Sequence, residues 1–373
     1  MGVPYILSAC VGTLGLVTVD DFCRKIWLSM NQFINKKRTI QTLTTVLILG
    51  ILLFGISLFA SSKKGEKIDI HIGYQSITAQ TWGALIIKNQ ELFENKLQER
   101  YPDVAFNVQW HDEVSGSVIN NNMLAHKYQI GYMGDMPCII NLYNSYSQKG
   151  YQSRMLAIDG RGENGRNQSI LVSQDSGINQ LEDLAGHTIS VPIGSSTHRM
   201  LLEILAQNNL LDDIEVVHQD IPTAYNMILA GKISALAAWE PYPSLLVDER
   251  MMIKLVDGEK SQNNYLTGIM IDSEWEREHQ ELVQIYLECI VESHVFLTEN
   301  KAQSIRIISK ESGFSAEVVK TVLNNIEWRA EITDDDLVTF QESYEFMIGL
   351  NILDEFPIAE YIKVNGKEIK LIN

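Results

Sequence analysis

Part of the chain is written twice. Without gaps, MLAHKYQIGYMGD (Met123 to Asp135) lies over ILAGKISALAAWE (Ile228 to Glu240), so helix end, connecting Lys127 or Lys232, strand and final carboxylate coincide. IHIGYQSITA (Ile70 to Ala79) lies over ISVPIGSSTH (Ile189 to His198), which aligns Ser76 with Ser195 and Thr78 with Thr197. Both copies read as strand, hydroxyl-rich turn, helix. The first copy continues from IDIHIGY through a helix near Trp82 to Arg100, VAFNVQW, a short helix near Ser117 to Leu124, and YQIGYMG. The second runs HTISVPI, a helix from about Thr197 to Asn208, IEVVHQD, a helix from about Thr223 to Ala230 closed by Gly231, and ISALAAW. A duplicated βαβαβ unit predicts two similar α/β lobes, each built on parallel strands.

Residues 67–158 with 265–373 form the expected lobe 1, and 159–264 the expected lobe 2. AIDGRGENGRNQSILV reads as a crossing strand, a polar turn and the first strand of lobe 2, and Tyr265 to Ile271 as the return. From Ser273 to about Leu350 the patterns are helical, as in ELVQIYLECIVESHVFL and AEVVKTVLNNI, and these helices are expected to pack on lobe 1. Lysine and arginine number 30 against 47 acidic residues, and the net charge of −17 argues against a nucleic-acid partner, which requires basic surface. Cys10, Cys23, Cys138 and Cys289 are too scattered for a zinc cluster or a disulfide framework, and Cys138 and Cys289 are expected to be buried free thiols in lobe 1.

Leu43 to Ala60 carries no charge and lies between Lys36-Lys37-Arg38 and Ser61-Ser62-Lys63-Lys64. Residues 43–62 therefore read as a signal peptide or a membrane anchor, with the membrane contacted through 43–60. Cleavage after Ser62 fits a start at Met30, which would make residues 1–29 a gene-start artefact. Val3 to Val19 as a further apolar segment is the other reading of the stretch 1–42, with the basic loop on the cytoplasmic side.

Ligands of open parallel sheets bind beyond the carboxyl ends of the strands. That rule gathers Gln75, Ser76, Thr78, Ser115, Gly116, Ser117, Gly134, Asp135, Gly194, Ser195, Ser196, Thr197, His198, Trp239 and Glu240 around one interlobe cleft. Gly194 to His198 opens a helix, so free N–H groups, hydroxyls and the positive helix end can grip an oxyanion; the same residues can also serve as an ordinary N-cap. His198 is a candidate donor to the anion and Trp239 a candidate stacking surface. Asp135 and Glu240 end equivalent strands, either to receive an amine or to hold backbone turns.

In order and spacing, IGYQ, SGS at Ser115, IGYMGDMP, LEDLAGHTISVPIGSSTH and AAWEPYP resemble the solute-binding proteins of nitrate, sulfonate and taurine ABC importers over about Ile68 to Trp328. The resemblance implies a type II periplasmic binding fold: two βα lobes around a cleft, extra C-terminal helices and an N-terminal transmembrane or signal helix. It also implies that His198 and the preceding hydroxyls line the ligand site, faced by Trp239 and Glu240. Ser234 departs from the family pattern, which has an acid there, and is expected to act on the fold locally. The expected function is that of a monomeric binding component, exported or anchored at the outer face of the membrane or in the periplasm. It would deliver a small anion or zwitterion, an aliphatic sulfonate, taurine or nitrate, to a permease and its ATPase. No enzyme motif, cofactor or metal is expected, since G-x-S-x-G and H-E-x-x-H are absent. A binder of a pyrimidine-type thiamin precursor stacked on Trp239, and the ligand-sensing domain of an anchored receptor, are the alternatives.

Overall fold

Strand β1 (Ile68–Tyr74) buries Ile70, Ile72 and Tyr74 on one side, the alternation of a pleated strand covered by helices. It pairs in parallel with β2 (Phe106–Asp112) at the sheet edge and with β3 (Ile130–Gly134) on the other side. The computed structural model from which these elements are taken describes residues 67–358 together with Arg24 and Tyr361. The expected N-terminal segment over 1–42, Arg24 aside, and the signal or anchor segment over 43–62 lie outside the described residues.

Between β1 and β2 the helical stretch is two helices, α1 (Trp82–Asn89) and α2 (Leu92–Arg100), where one helix was expected. The break is at Glu91, which takes a left-handed conformation with φ of 50°. Its physical reason is burial: every residue from Trp82 to Ile87 is buried, whereas α2 turns only Phe93 and Leu97 inward, so the two segments cannot share one apolar stripe. Helix α3 (Gly116–Leu124) leads into β3, and α4 (Asp135–Ser147) follows β3 directly.

Strand β4 (Ser153–Gly162) then leaves for the second sheet, made by β5 (Gln168–Ser173), β6 (Thr188–Val191), β7 (Glu215–His218), β8 (Ala235–Trp239) and β9 (Met252–Asp257). Among these lie α5 (Ser196–Gln207), α6 (Ile221–Leu229) and α7 (Tyr242–Asp248). The return strand β10 (Tyr265–Asp272) re-enters the first sheet beside β4, with Tyr265 paired to Gly162. The C-terminal part adds α8 (Ser273–Glu278), α9 (Gln280–Glu299), α10 (Lys301–Ser312), α11 (Ala316–Leu323), the short β11 (Glu327–Trp328) and α12 (Asp334–Gly349).

The sheet orders are β11-β4-β10-β3-β1-β2 and β7-β6-β8-β5-β9. The duplication is visible in them: β2-β1-β3 and β7-β6-β8 correspond, and in each lobe an antiparallel strand, β10 or β5, lies beside the third. Register differs between the copies. Ile72 faces Ile130 in lobe 1, whereas Ile189 faces Ala235 in lobe 2, a two-residue slip relative to the sequence alignment. Because side chains alternate with period two, the slip leaves the same residues on the same face.

Helices α9 and α10 pack on α1, as expected of lobe 1. Helix α12 packs on α4 but also reaches α5 of lobe 2, which the sequence pattern did not indicate. Cys138 and Cys289 are buried free thiols. Ser234, at the mouth of β8, is exposed and its carbonyl accepts from Ser173 N at 2.8 Å. Among the described residues no helix is long and apolar enough to cross a membrane, and no group of three or more acidic, histidine or cysteine side chains is placed to hold a metal ion.

Candidate functional site

The C-terminal ends of β1, β3, β6 and β8 meet where the lobes face each other. Helix α5 begins there because Ser195 takes extended backbone and caps the first turn, its side-chain oxygen at 3.2 Å and its carbonyl at 3.0 Å both accepting from His198 N. The turn before it needs glycine: Gly194 has φ of +82°, a region that side chains with a Cβ rarely adopt. From the other lobe, Gly134 lets the backbone approach, since a Cβ there would lie 3.1 Å from Ser196 Oγ.

Asp135 lies at this junction, 1% exposed. Its oxygens accept from Ser196 Oγ across the cleft and from Ser343 Oγ of α12. Burial pushes its carboxyl above the usual carboxylate range, and the two hydroxyls and the nearby Arg199 draw it part of the way back. Arg199, itself 4% exposed, donates from Nη1 to Ser343 Oγ at 2.7 Å and from Nη2 to Asn263 Oδ1 at 3.0 Å. Its ion pairs go to Glu203 at 2.8 Å and Glu342 at 3.2 Å, not to Asp135.

His198 is 6% exposed, with Nδ1 accepting weakly from Gly194 N at 3.4 Å and the ring set edge-on to Phe346. Burial, then the charge of neighbouring His218, holds its pKa below the ordinary imidazole value. Thr197 ties α5 to β5 through Gln168 Oε1 at 2.8 Å.

A second set of contacts also joins the lobes. Trp239 Nε1 donates to Thr78 Oγ1 at 3.0 Å, and Ala79 N donates to Glu240 O at 3.0 Å. Gln75 is buried and donates from Nε2 to Tyr132 O at 3.1 Å, while Ser76 N donates to Asp112 Oδ1 at 2.8 Å. The carboxylate of Glu240 accepts from Ser244 N at 3.0 Å in the first turn of α7, and burial raises its pKa. Asp135 and Glu240 are thus in different surroundings despite their equivalent places in the repeat: one bridges lobes, the other holds a helix start. Ser115, Gly116 and Ser117 open α3; Gly116 is buried, Ser117 is exposed, and Ser115 makes no side-chain capping bond. None of the three is hydrogen-bonded to the Asp135 cluster.

Arg199, Gln168, Asn263 and Ser343 were not among the residues expected at the site. Arg199 had a signal, since it directly follows the GSSTH turn; Ser343 is a single hydroxyl in an amphipathic helix and had none.

Two α/β lobes joined by crossing strands, with a helix N-terminus directed across the junction, define a periplasmic-binding-protein fold. The chain matches the NMT1-like family over residues 63–310 and belongs to that family. A Bacillus subtilis (strain 168) protein named for aliphatic sulfonate binding is 27% identical over 299 residues, 79% of this chain and 86% of that one. Among solved structures, the alkanesulfonate-binding protein SsuA from Xanthomonas axonopodis pv. citri, bound to MOPS, has a TM-score of 0.66 at 20% identity, covering 80% of this chain and 99% of that one. The desulfurization enzyme DszB shares the fold with a TM-score of 0.57 at 15% identity, covering 79% of this chain and 96% of that one.

Proposed function

We propose that the chain is the solute-binding component of an ABC importer and takes an aliphatic sulfonate between its lobes. The observation that carries this reading is the start of α5, where a glycine turn opens the helix toward the other lobe and the hydroxyl of Ser196 reaches across to it, with Ser195 capping the helix and Thr197 held to β5 beside it. A ligand held by both lobes favours the closed arrangement by its differential affinity, and a permease with its ATPase would read that shape at the outer face of the membrane or in the periplasm. A plain sulfonate is preferred over taurine because Glu240, the acid proposed to receive an ammonium, is engaged with Ser244 N. Nitrate would use the same hydroxyls with a smaller body. The role is binding without turnover: burial pushes the Cys138 thiol well up and the Cys289 thiol up to about 12, so neither is poised as a nucleophile.

Calorimetry and thermal shift with ethanesulfonate, taurine, nitrate and an aminopyrimidine test the reading. Ethanesulfonate at a hundred times its Kd is expected to stabilise the protein by about 2.7 kcal/mol. Taurine should bind no tighter than ethanesulfonate, and Glu240→Gln should leave their ratio unchanged. A tenfold preference for taurine that Glu240→Gln removes would restore the zwitterion reading; binding of the aminopyrimidine alone would replace the sulfonate altogether.

A further inference from the structure

The cradle at the start of α5 already holds an anionic group of the protein's own. Asp135 reaches across from lobe 1 and occupies Ser196, and its second oxygen takes Ser343. The ionisable groups around it are Cys138 on its own helix, Tyr265 on β10, Arg199, Glu203 and His198 on α5, and Glu342 beside Ser343 on α12. Arg199 is committed to Glu203 and Glu342, so Asp135 has no ion-pair partner to hold its charge. Its side-chain partners are both hydroxyls, with a backbone contact from Met136 beside them. A hydroxyl donates to a carboxylate and, after rotation of its O–H bond, accepts from a carboxylic acid, so the same pocket satisfies either protonation state.

Resting on the reading of this cleft as a sulfonate site, we infer that Asp135 is a proton-coupled gate, taking up one proton from solvent when the sulfonate seats at the start of α5. Two unpaired anions side by side in a buried cleft repel strongly, because little water remains to screen them. A sulfonate, the anion of a strong acid, brings no proton and stays charged, so the carboxylate is the partner that must change. Protonation removes the repulsion, releases the Ser196 hydroxyl from the carboxylate to donate to the incoming oxygen, and turns Asp135 from acceptor into donor. The raised pKa of the buried carboxyl agrees with this direction. The gate also makes Asp135 a specificity-determining residue, since a neutral solute would gain nothing from the proton.

The test is calorimetry with ethanesulfonate near neutral pH in two buffers of unlike ionisation enthalpy. The expected result is uptake of about one proton per ligand, with affinity falling about tenfold for each pH unit on the alkaline side. Asp135→Asn should bind with no proton uptake and with affinity independent of pH. His198 is the other group able to gain a proton, and His198→Gln should keep the uptake. Infrared difference spectra of the unmutated protein supply a readout that needs no variant: ethanesulfonate should bring up the carbonyl stretch of a protonated carboxyl. Binding without proton uptake, uptake that survives Asp135→Asn, uptake lost only in His198→Gln, or no new carbonyl band would each overturn the inference while leaving a sulfonate site in place. Failure of every sulfonate to bind would instead remove the sulfonate reading, and the gate with it.

Discussion

At the scale of single residues, the candidate site separates chemistry from packing. His198 stands in the first turn of α5 with its pKa lowered by burial and by neighbouring His218, placed to donate to an anion. His198→Ala is expected to weaken ethanesulfonate binding by about 1.5–3 kcal/mol, roughly ten- to more than hundredfold, the range for a hydrogen bond to a charged group. Titration calorimetry of the two proteins decides it; equal affinities would leave His198 as a packing partner of Phe346. The helix start at Ser195 was legible in the sequence because a GSSTH turn before an apolar period has the composition of an N-cap. Arg199 and Ser343 were not, because their importance comes from facing each other across two helices far apart in the chain, and one polar residue on a helix face carries no mark of its partner.

Helix α12 is the element whose role changes most between sequence and structure. It has the expected amphipathic pattern and a capping box at Thr333 and Asp336, yet it touches both α4 and α5. Ser343 is the hinge of that contact, giving a hydrogen bond to Asp135 and receiving one from Arg199. Ser343→Ala leaves a buried carboxylate oxygen and a buried guanidinium N–H without this partner, and the expected loss is about 1–3 kcal/mol in thermal or denaturant unfolding. A loss within a few tenths of a kcal/mol would show that other groups fill the gap. The break between α1 and α2 was likewise illegible: both segments favour helix, and the turn at Glu91 lets the buried α1 and the partly buried α2 each place its own apolar residues inward.

For the whole molecule, the sequence repeat was sufficient to place the three parallel strands of each sheet, since matched strands carry the same neighbours in each lobe, whereas the edge strands β9 and β11 lie outside the repeat and were not expected. It could not give the two-residue difference in register, because sliding by two keeps every side chain on its proper face and therefore leaves no trace in the hydrophobic pattern. Cys138 and Cys289 report on how the described part of the chain opens. Cys138 lies in the core cluster beneath α12 and Cys289 in the larger cluster around α9. Alkylation under native conditions, followed by peptide mass spectrometry, is expected to modify both at one common rate set by global unfolding. Faster labelling of Cys289 would instead identify α9 as a unit that opens alone.

The pairing of Gly162 with Tyr265 sets the order in which the chain can be assembled. All five strands of the second sheet lie between these two residues. An unfolded segment of that length must be closed into a ring before β4 can meet β10, and the ring's entropy opposes the meeting. Once the second sheet has formed, its entry and exit are already neighbours and that opposition is gone. Lobe 2 is therefore the natural early product of refolding, and the central pair of lobe 1 its late one. Pulsed hydrogen exchange should find amides of β5 and β8 protected before those of β4 and β10, giving a protein whose first sheet, though begun nearer the N-terminus, is completed only after the second has been inserted into it.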